Sequence, residues 1–351
     1  MTSANGSSGQ GKRAVVAGGA GFIGSHLCEA LLDHGMWVEC LDNLSTGRYG
    51  NIAQLTGRPR FRFHQVDVVQ PWTCEGEVDL VLHLASPASP QDYLRLPVQT
   101  LEVGSTGTLA LLRLAQAKGA RFVLASTSEV YGDPAEHPQR ETYWGHVNPI
   151  GPRAVYDEAK RFAEAATAAF RRDLGADTGI VRLFNSFGPR MRTGDGRMVP
   201  NFVHQALTGR PITIAGTGQQ SRTLCYVTDT VACLTDFALS ADPGPMNIGG
   251  SRETTVLEVA HLVRELTGSS SPLRHVPLPV DDPTRRRPDI TRAREVLGWQ
   301  PRVSLREGLR RTITWMSGPS PWTATTEGPP EAVPEIPARP EAVTGPGGGT
   351  P

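Results

Sequence analysis

Apolar residues follow two rhythms along the first half of the chain. RAVVAG (13–18) is short and almost continuously apolar, as a strand buried on both faces must be, and GFIGSHLCEALLDHG (21–35) then repeats its apolar positions at helical spacing until Gly35. MWVECLD (36–42) returns to the strand pattern, so the first 30 or so patterned residues read as a βαβ unit. Further strands are predicted at 61–67, 78–85, 120–127 and 178–185, with helical periodicity over 98–118 and 153–173. Strands alternating with helices of this length imply an α/β fold, a doubly wound parallel sheet built by right-handed crossovers.

Beyond residue 185 the rhythm becomes irregular. Short strands are predicted in PITIAG (211–216) and RTLCYV (222–227), and helices near 228–240 and 255–267. The chain therefore divides into a Rossmann domain over 12–185 and a smaller, mainly substrate-binding C-terminal lobe over 186–317. The Gly/Ser-rich residues 1–11 and the Pro/Gly-rich residues 318–351 have too few large apolar groups to offset the entropy of ordering and are expected to be disordered.

Composition narrows the partners. The 351 residues carry 35 basic and 35 acidic side chains without a basic stripe, so neither nucleic acid nor an anionic membrane is an expected partner, and an anionic ligand must be held by local charges. Only Lys12, Lys118 and Lys160 are lysines. Five cysteines, an odd number without CxxC spacing, read as reduced thiols; no metal is expected. Neither an apolar leader nor an apolar run of membrane length is present, and a soluble, cytoplasmic protein is expected.

Gly18, Gly21 and Gly24 form GxxGxxG between the first strand and the first helix, enclosing Phe22 and Ile23. The first glycine permits a tight turn, the second lets backbone approach a pyrophosphate, and the third lets helix and strand pack closely. Phosphates then face the helix N-terminus. Asp42, ending the second strand beside Asn43, is placed to accept hydrogen bonds from ribose hydroxyls and to repel a 2′-phosphate, which favours NAD over NADP. Arg48 lies near enough to tolerate that phosphate. Asp67 and Val68, after the third strand, are expected at the adenine, and Leu84 and Ala85 at the end of the fourth strand along the cofactor.

Tyr156 and Lys160 stand four residues apart on a predicted helix and share a face, following a strand that ends in Ser126 and Thr127. An ammonium beside a phenol favours phenolate, so the pair is expected to give a base near neutral pH.

With these residues the chain resembles the extended short-chain dehydrogenase/reductases and, within them, the UDP-glucuronate decarboxylases. The matching runs are HLASPASP (83–90), ASTSEVYGDP (125–134), YWGHVNPIGPR (143–153), FNSFGPRM (184–191) and DDPTRRRPDI (281–290). The resemblance implies that Thr127, Tyr156 and Lys160 transfer hydride with NAD, that Glu129 positions the water that reprotonates C5, and that UDP-glucuronate becomes UDP-xylose through a 4-keto intermediate. It places Asn185, Arg222 and Arg286 at the diphosphate and neighbouring ribose, Arg192 as a fourth diphosphate residue, and Ser128, Glu141, Tyr93 and Asn148 around the sugar. It also implies a homodimer through a bundle that includes helix 153–173.

In the similar dTDP-glucose 4,6-dehydratases an Asp-Glu pair follows the threonine, the Asp protonating the departing 6-hydroxyl; here Ser128-Glu129 stands instead. A substrate whose C6 leaves as carbon dioxide needs no such acid. Other enzymatic readings are a nucleotide-sugar 4,6-dehydratase or 4-epimerase, and a non-enzymatic one is an NAD-sensing scaffold. Two positions depart from the resemblance. Ala17 stands where Thr is usual, forgoing a hydrogen bond worth about 1 kcal/mol; Gly104 stands where Asn is usual, costing a helix about 1 kcal/mol relative to Ala. Deleting residues 322–351 is expected to leave turnover and melting temperature nearly unchanged, and a large loss of either would show that the segment docks.

Overall fold

The structure, a computed structural model, describes residues 11–194, 196–278 and 285–318. The first unit forms as patterned: β1 (Arg13–Ala17), α1 (Phe22–Asp33) and β2 (Trp37–Asp42). β3 (Phe61–Gln65), β4 (Leu80–His83), α2 (Pro90–Arg95) and α3 (Pro97–Glu102) follow, then a π-helical turn (Val103–Gly107), α4 (Thr108–Lys118), β5 (Arg121–Thr127), α5 (Ala154–Leu174) and β6 (Thr178–Leu183). The remainder comprises β7 (Ser186–Phe187), α6 (Met198–Leu207), β8 (Ile212–Ala215), β9 (Ser221–Thr223), β10 (Cys225–Tyr226), α7 (Val227–Leu239) and β11 (Met246–Ile248). It closes with β12 (Glu253–Thr255), α8 (Val256–Thr267), β13 (Leu273–Val276), β14 (Arg285–Arg286), α9 (Thr291–Leu297) and α10 (Leu305–Ser317).

Seven parallel strands make the main sheet in the order β3-β2-β1-β4-β5-β6-β11. Chain order reverses beside β1, which opens a crevice at the carboxyl ends of β1 and β4, where such sheets bind ligands. Alternation along β1 explains the continuous apolar run. Ala14 and Val16 join a core with Leu27, Leu31, Leu234 and Phe237 from α1 and α7, whereas Val15 and Ala17 face Leu111, Leu112 and Ala163 from α4 and α5.

Three sequence expectations change. RTLCYV is not one strand: β9 pairs with β12 and β14, and β10 pairs with β7, so neighbouring residues serve two small sheets. The helix over 98–118 contains the π turn. The division at residue 185 is crossed, because α7 packs on α1 and β11 adds to β6 as the last strand of the main sheet. A three-residue buried strand has no period to detect. The ends read as disordered lie outside the described residues except for Gly11 and Gly318, and so do Asp281 to Thr284 of the last matching run.

Close packing at the start of α1 depends on one missing side chain. A Cβ on Gly24 would lie 2.1 Å from the Gly18 carbonyl oxygen. Gly24→Ala is expected to destabilise the fold by about 1–3 kcal/mol in urea unfolding, and an unchanged midpoint would contradict this packing.

Candidate active site

The crevice begins at the glycine turn. Gly18 adopts a φ of +80°, donates to the Leu41 carbonyl at 2.8 Å and lies so close to β4 that a Cβ on it would sit 2.6 Å from Ala85 N. Gly21 precedes α1 with no side-chain cap, leaving the first helical N–H groups directed at whatever enters. Ala17 is fully buried, and its carbonyl accepts from Leu84 N at 2.8 Å, so the turn keeps its backbone bonds without a threonine hydroxyl.

A cavity of about 130 Å³ beside the turn is lined by Gly18, Gly21, Asp42, Asn43, Asp67, Val68, Leu84 and Ala85, which brings most of the expected cofactor residues together. Asp42 accepts from Ala20 N at 3.0 Å and Leu44 N at 2.9 Å, while burial pushes its carboxyl above the ordinary value. Asn43 donates to Asp67 at 2.9 Å. Arg48 lines the adjoining larger cavity instead, with Phe22, Ile23 and Gly24.

That larger cavity, about 630 Å³, holds Thr127, Ser128, Glu129, Tyr156 and Lys160. Lys160 is buried and donates to the Ala125 carbonyl at 2.9 Å; burial lowers its pKa to about 8. Burial raises the Tyr156 phenol, a hydrogen bond from Thr127 opposes that rise, and the charges of Glu129 and Asp157 add to it. The burial that raises the phenol runs against the near-neutral base expected of the pair. Tyr93 stacks on Tyr156 with centroids 5.3 Å apart and planes at 8°.

Glu129 is the electrostatic centre. Arg286 donates to both of its oxygens at 2.6 and 3.0 Å, and Arg153 donates at 2.7 Å. Burial works to raise the Glu129 carboxyl, yet the two guanidiniums hold it down at about 2.

Residues 14–249 match the NAD dependent epimerase/dehydratase family. UDP-glucuronic acid decarboxylase 1 from Danio rerio is 49% identical over 306 residues, covering 87% of this chain and 73% of that protein. UDP-glucuronic acid decarboxylase 6 from Arabidopsis thaliana is 48% identical over 85% of this chain and 86% of its own. The chain belongs to the UDP-glucuronic acid decarboxylase family. Among solved structures, UDP-glucose 4-epimerase from Thermotoga maritima with UDP-glucose superposes with a TM-score of 0.78 at 31% identity, over 87% of this chain and 98% of that one. UDP-glucuronic acid 4-epimerase from Bacillus cereus, in complex with UDP-glucuronic acid and NAD, gives 0.77 at 26% identity, with the same coverage.

For this decarboxylase family member, the glycine cradle, the uncapped start of α1 and the Asp42 carboxylate fit a dinucleotide. Asn185, Arg192, Arg222 and Arg286 all line the larger cavity, and each also has a protein partner. Arg222 donates to the Ser221 carbonyl at 2.9 Å and Asn185 to the Thr223 carbonyl at 3.4 Å. Arg286 is committed to Glu129 and Arg192 to Asp92, at 2.5 Å, because each buried carboxylate needs a counter-charge. Three residues expected at the sugar lie elsewhere. Glu141 accepts from Asn247 N at 2.9 Å outside both cavities, Asn148 is exposed and caps its own loop at Ile150 N, and Tyr93 backs the ring of Tyr156.

Arg153 was not singled out in the sequence. Its signal is a cation three residues before Tyr156, one helical turn along the same face. The folded Glu129 value of about 2 lies below the ordinary 4.5, so its stabilisation is complete above pH 4.5 and is lost as pH falls toward 2. Glu129→Gln is expected to remove that acid-side loss and to destabilise the protein by about 3 kcal/mol at pH 7 by removing the carboxylate counter-charge from two guanidiniums; melting curves matching wild type across this range would contradict the assignment.

Proposed function

We propose that this chain decarboxylates UDP-glucuronate to UDP-xylose. The glycine turn and Asp42 would hold NAD⁺, which would supply a hydride acceptor regenerated within each turnover. Tyr156 as phenolate takes the C4 hydroxyl proton while C4 gives up its hydride, producing a 4-keto sugar. The carboxylate at C5 is then β to a ketone. When the C5–C6 bond breaks, carbon dioxide leaves and its bonding electrons pass to the C4 oxygen, where the hydroxyls of Tyr156 and Thr127 act as preorganised donors. Water held by the fixed Glu129 carboxylate gives a proton to C5, the hydroxide left being neutralised by the released carbon dioxide, and as hydride returns to C4 the Tyr156 hydroxyl gives its proton back to the C4 oxygen, which restores the phenolate. Lys160 keeps its ammonium on the Ala125 carbonyl throughout, behind the reacting phenol.

The observation that carries this reading is the state of the two residues after Thr127. Ser128 is a poor acid at neutral pH, and Glu129 is held ionised at about 2 by Arg153 and Arg286. Neither can protonate a departing 6-hydroxyl, which a dehydratase requires; loss of carbon dioxide requires no such donor.

Assembly as a cytoplasmic homodimer is part of the same proposal. Phe162 on α5 is 44% exposed, as are Val98 (59%) and Leu101 (41%) on α3, which packs against α5, and these supply an apolar face for a second copy. The five buried free thiols fit a reducing compartment. Among the described residues, no helix is long and apolar enough to cross a membrane.

Incubation with UDP-glucuronate and NAD is expected to give UDP-xylose and carbon dioxide without net NADH, as read by product mass and absorbance; stoichiometric NADH or a released 4-keto pentose as main product would contradict the closed cycle. Tyr156→Phe should lose roughly 10³-fold in turnover. Ser128→Asp should weaken decarboxylation by like-charge repulsion of the substrate carboxylate, and unaltered kinetics would mean that position 128 does not face C5.

A further inference from the structure

Gly104, a departure from the resemblance that the sequence suggests only weakens a helix, touches the element that carries Tyr156 and Lys160. A Cβ built on it would lie 2.6 Å from Ala159 Cβ and 3.0 Å from both Ala159 Cα and the Ala159 carbonyl oxygen. Real Cβ atoms essentially never come as close as the Ala159 Cβ contact would be, the two backbone contacts are tighter than nine in ten real ones, and none of these three atoms can swing aside as the end of a flexible side chain can. Ala159 immediately precedes Lys160, and both are buried. We propose that Gly104 is a positioning residue: its missing side chain lets the π turn rest on Ala159 and so sets how deeply α5 lies against the sheet.

The surroundings make the contact stiff. Thr108 Oγ1 donates to the Gly104 carbonyl at 2.7 Å and lies 3.1 Å from His83 Nε2, which ties the turn to the end of β4. On the far side of the turn, a Cβ on Gly107 would lie 2.9 Å from Val68 Cγ2, and Val68 and Val103 both line the smaller cavity. The π turn is thus a spacer between the adenosine side of the crevice and α5. Lys160 fixes α5 from the sheet side through the Ala125 carbonyl, and Gly104 fixes it from outside. A methyl group at position 104 can be relieved only by moving α5 or the turn. A displacement of about 1 Å of a group that must align with the reacting atoms costs on the order of 10²-fold in rate.

The inference rests on Tyr156 and Lys160 acting as proposed, and its test is a size swap. Wild type, Gly104→Ala, Ala159→Gly and the double variant are compared for kcat and KM with UDP-glucuronate, for NAD affinity and for melting temperature. Gly104→Ala is expected to lose about 10²-fold in kcat with KM for UDP-glucuronate changed less than about threefold. The double variant should return kcat to within a few-fold of Ala159→Gly, and the melting temperature should show the same non-additive recovery. A folded Gly104→Ala protein with kcat within about twofold of wild type would overturn the proposal, as would a loss that Ala159→Gly does not relieve. Should Gly104→Ala fail to fold, a folded and active double variant supports the contact, and a double variant that also fails overturns it. If wild type does not turn over UDP-glucuronate, the substrate reading fails, while recovery of NAD affinity and melting temperature in the double variant still decides the contact.

Discussion

The site is organised around one half-buried carboxylate held by two guanidiniums. Glu129 follows β5, Arg153 precedes α5 and Arg286 belongs to β14, so the pairs span 24 and 157 residues of sequence. Moving three charges out of water is costly, and their attraction offsets that cost only where donors find acceptors, as both terminal nitrogens of Arg286 do on Glu129 while its buried Nε has no hydrogen-bond partner among the described residues. The cluster therefore specifies an arrangement more than it adds stability. It ties the C-terminal lobe to the carboxyl end of the main sheet.

The helix beside this cluster is located just as tightly. Lys160 anchors α5 to the Ala125 carbonyl, Tyr93 stacks on the Tyr156 ring, and the side-chain-free Gly104 meets Ala159. Burial leaves Tyr156 a weaker acid than a free phenol and Lys160 a weaker base than a free amine.

Periodic segments made the nucleotide-binding layer readable from sequence: β1 to β6 and the helices between them have runs long enough to show period 2 or 3.6. Glycine spacing located the cofactor turn for the same reason, since each glycine answers a local backbone demand. What the sequence hid depends on long-range pairing. Nothing local distinguishes Arg286 as a partner of Glu129 from Arg286 as a phosphate ligand, and Arg192 next to Asp92 poses the same ambiguity. The three-residue β11 has too few positions for a period, and RTLCYV reads as one strand because sheet membership changes within it without a change in residue type. Gly104 was visible as a departure, but its meaning depends on Ala159, a contact between helices 55 residues apart in sequence.

The central claim is that hydride leaves C4 and comes back to C4 of the same sugar while C5 exchanges its carboxylate for a solvent proton. UDP-glucuronate labelled with deuterium at C4 tests it most directly, with the product analysed by NMR after turnover in ordinary water and, separately, unlabelled substrate turned over in deuterium oxide. The account predicts that the C4 label is retained and that one solvent deuteron appears at C5. Loss of the C4 label to solvent, or product without solvent deuterium at C5, would contradict it.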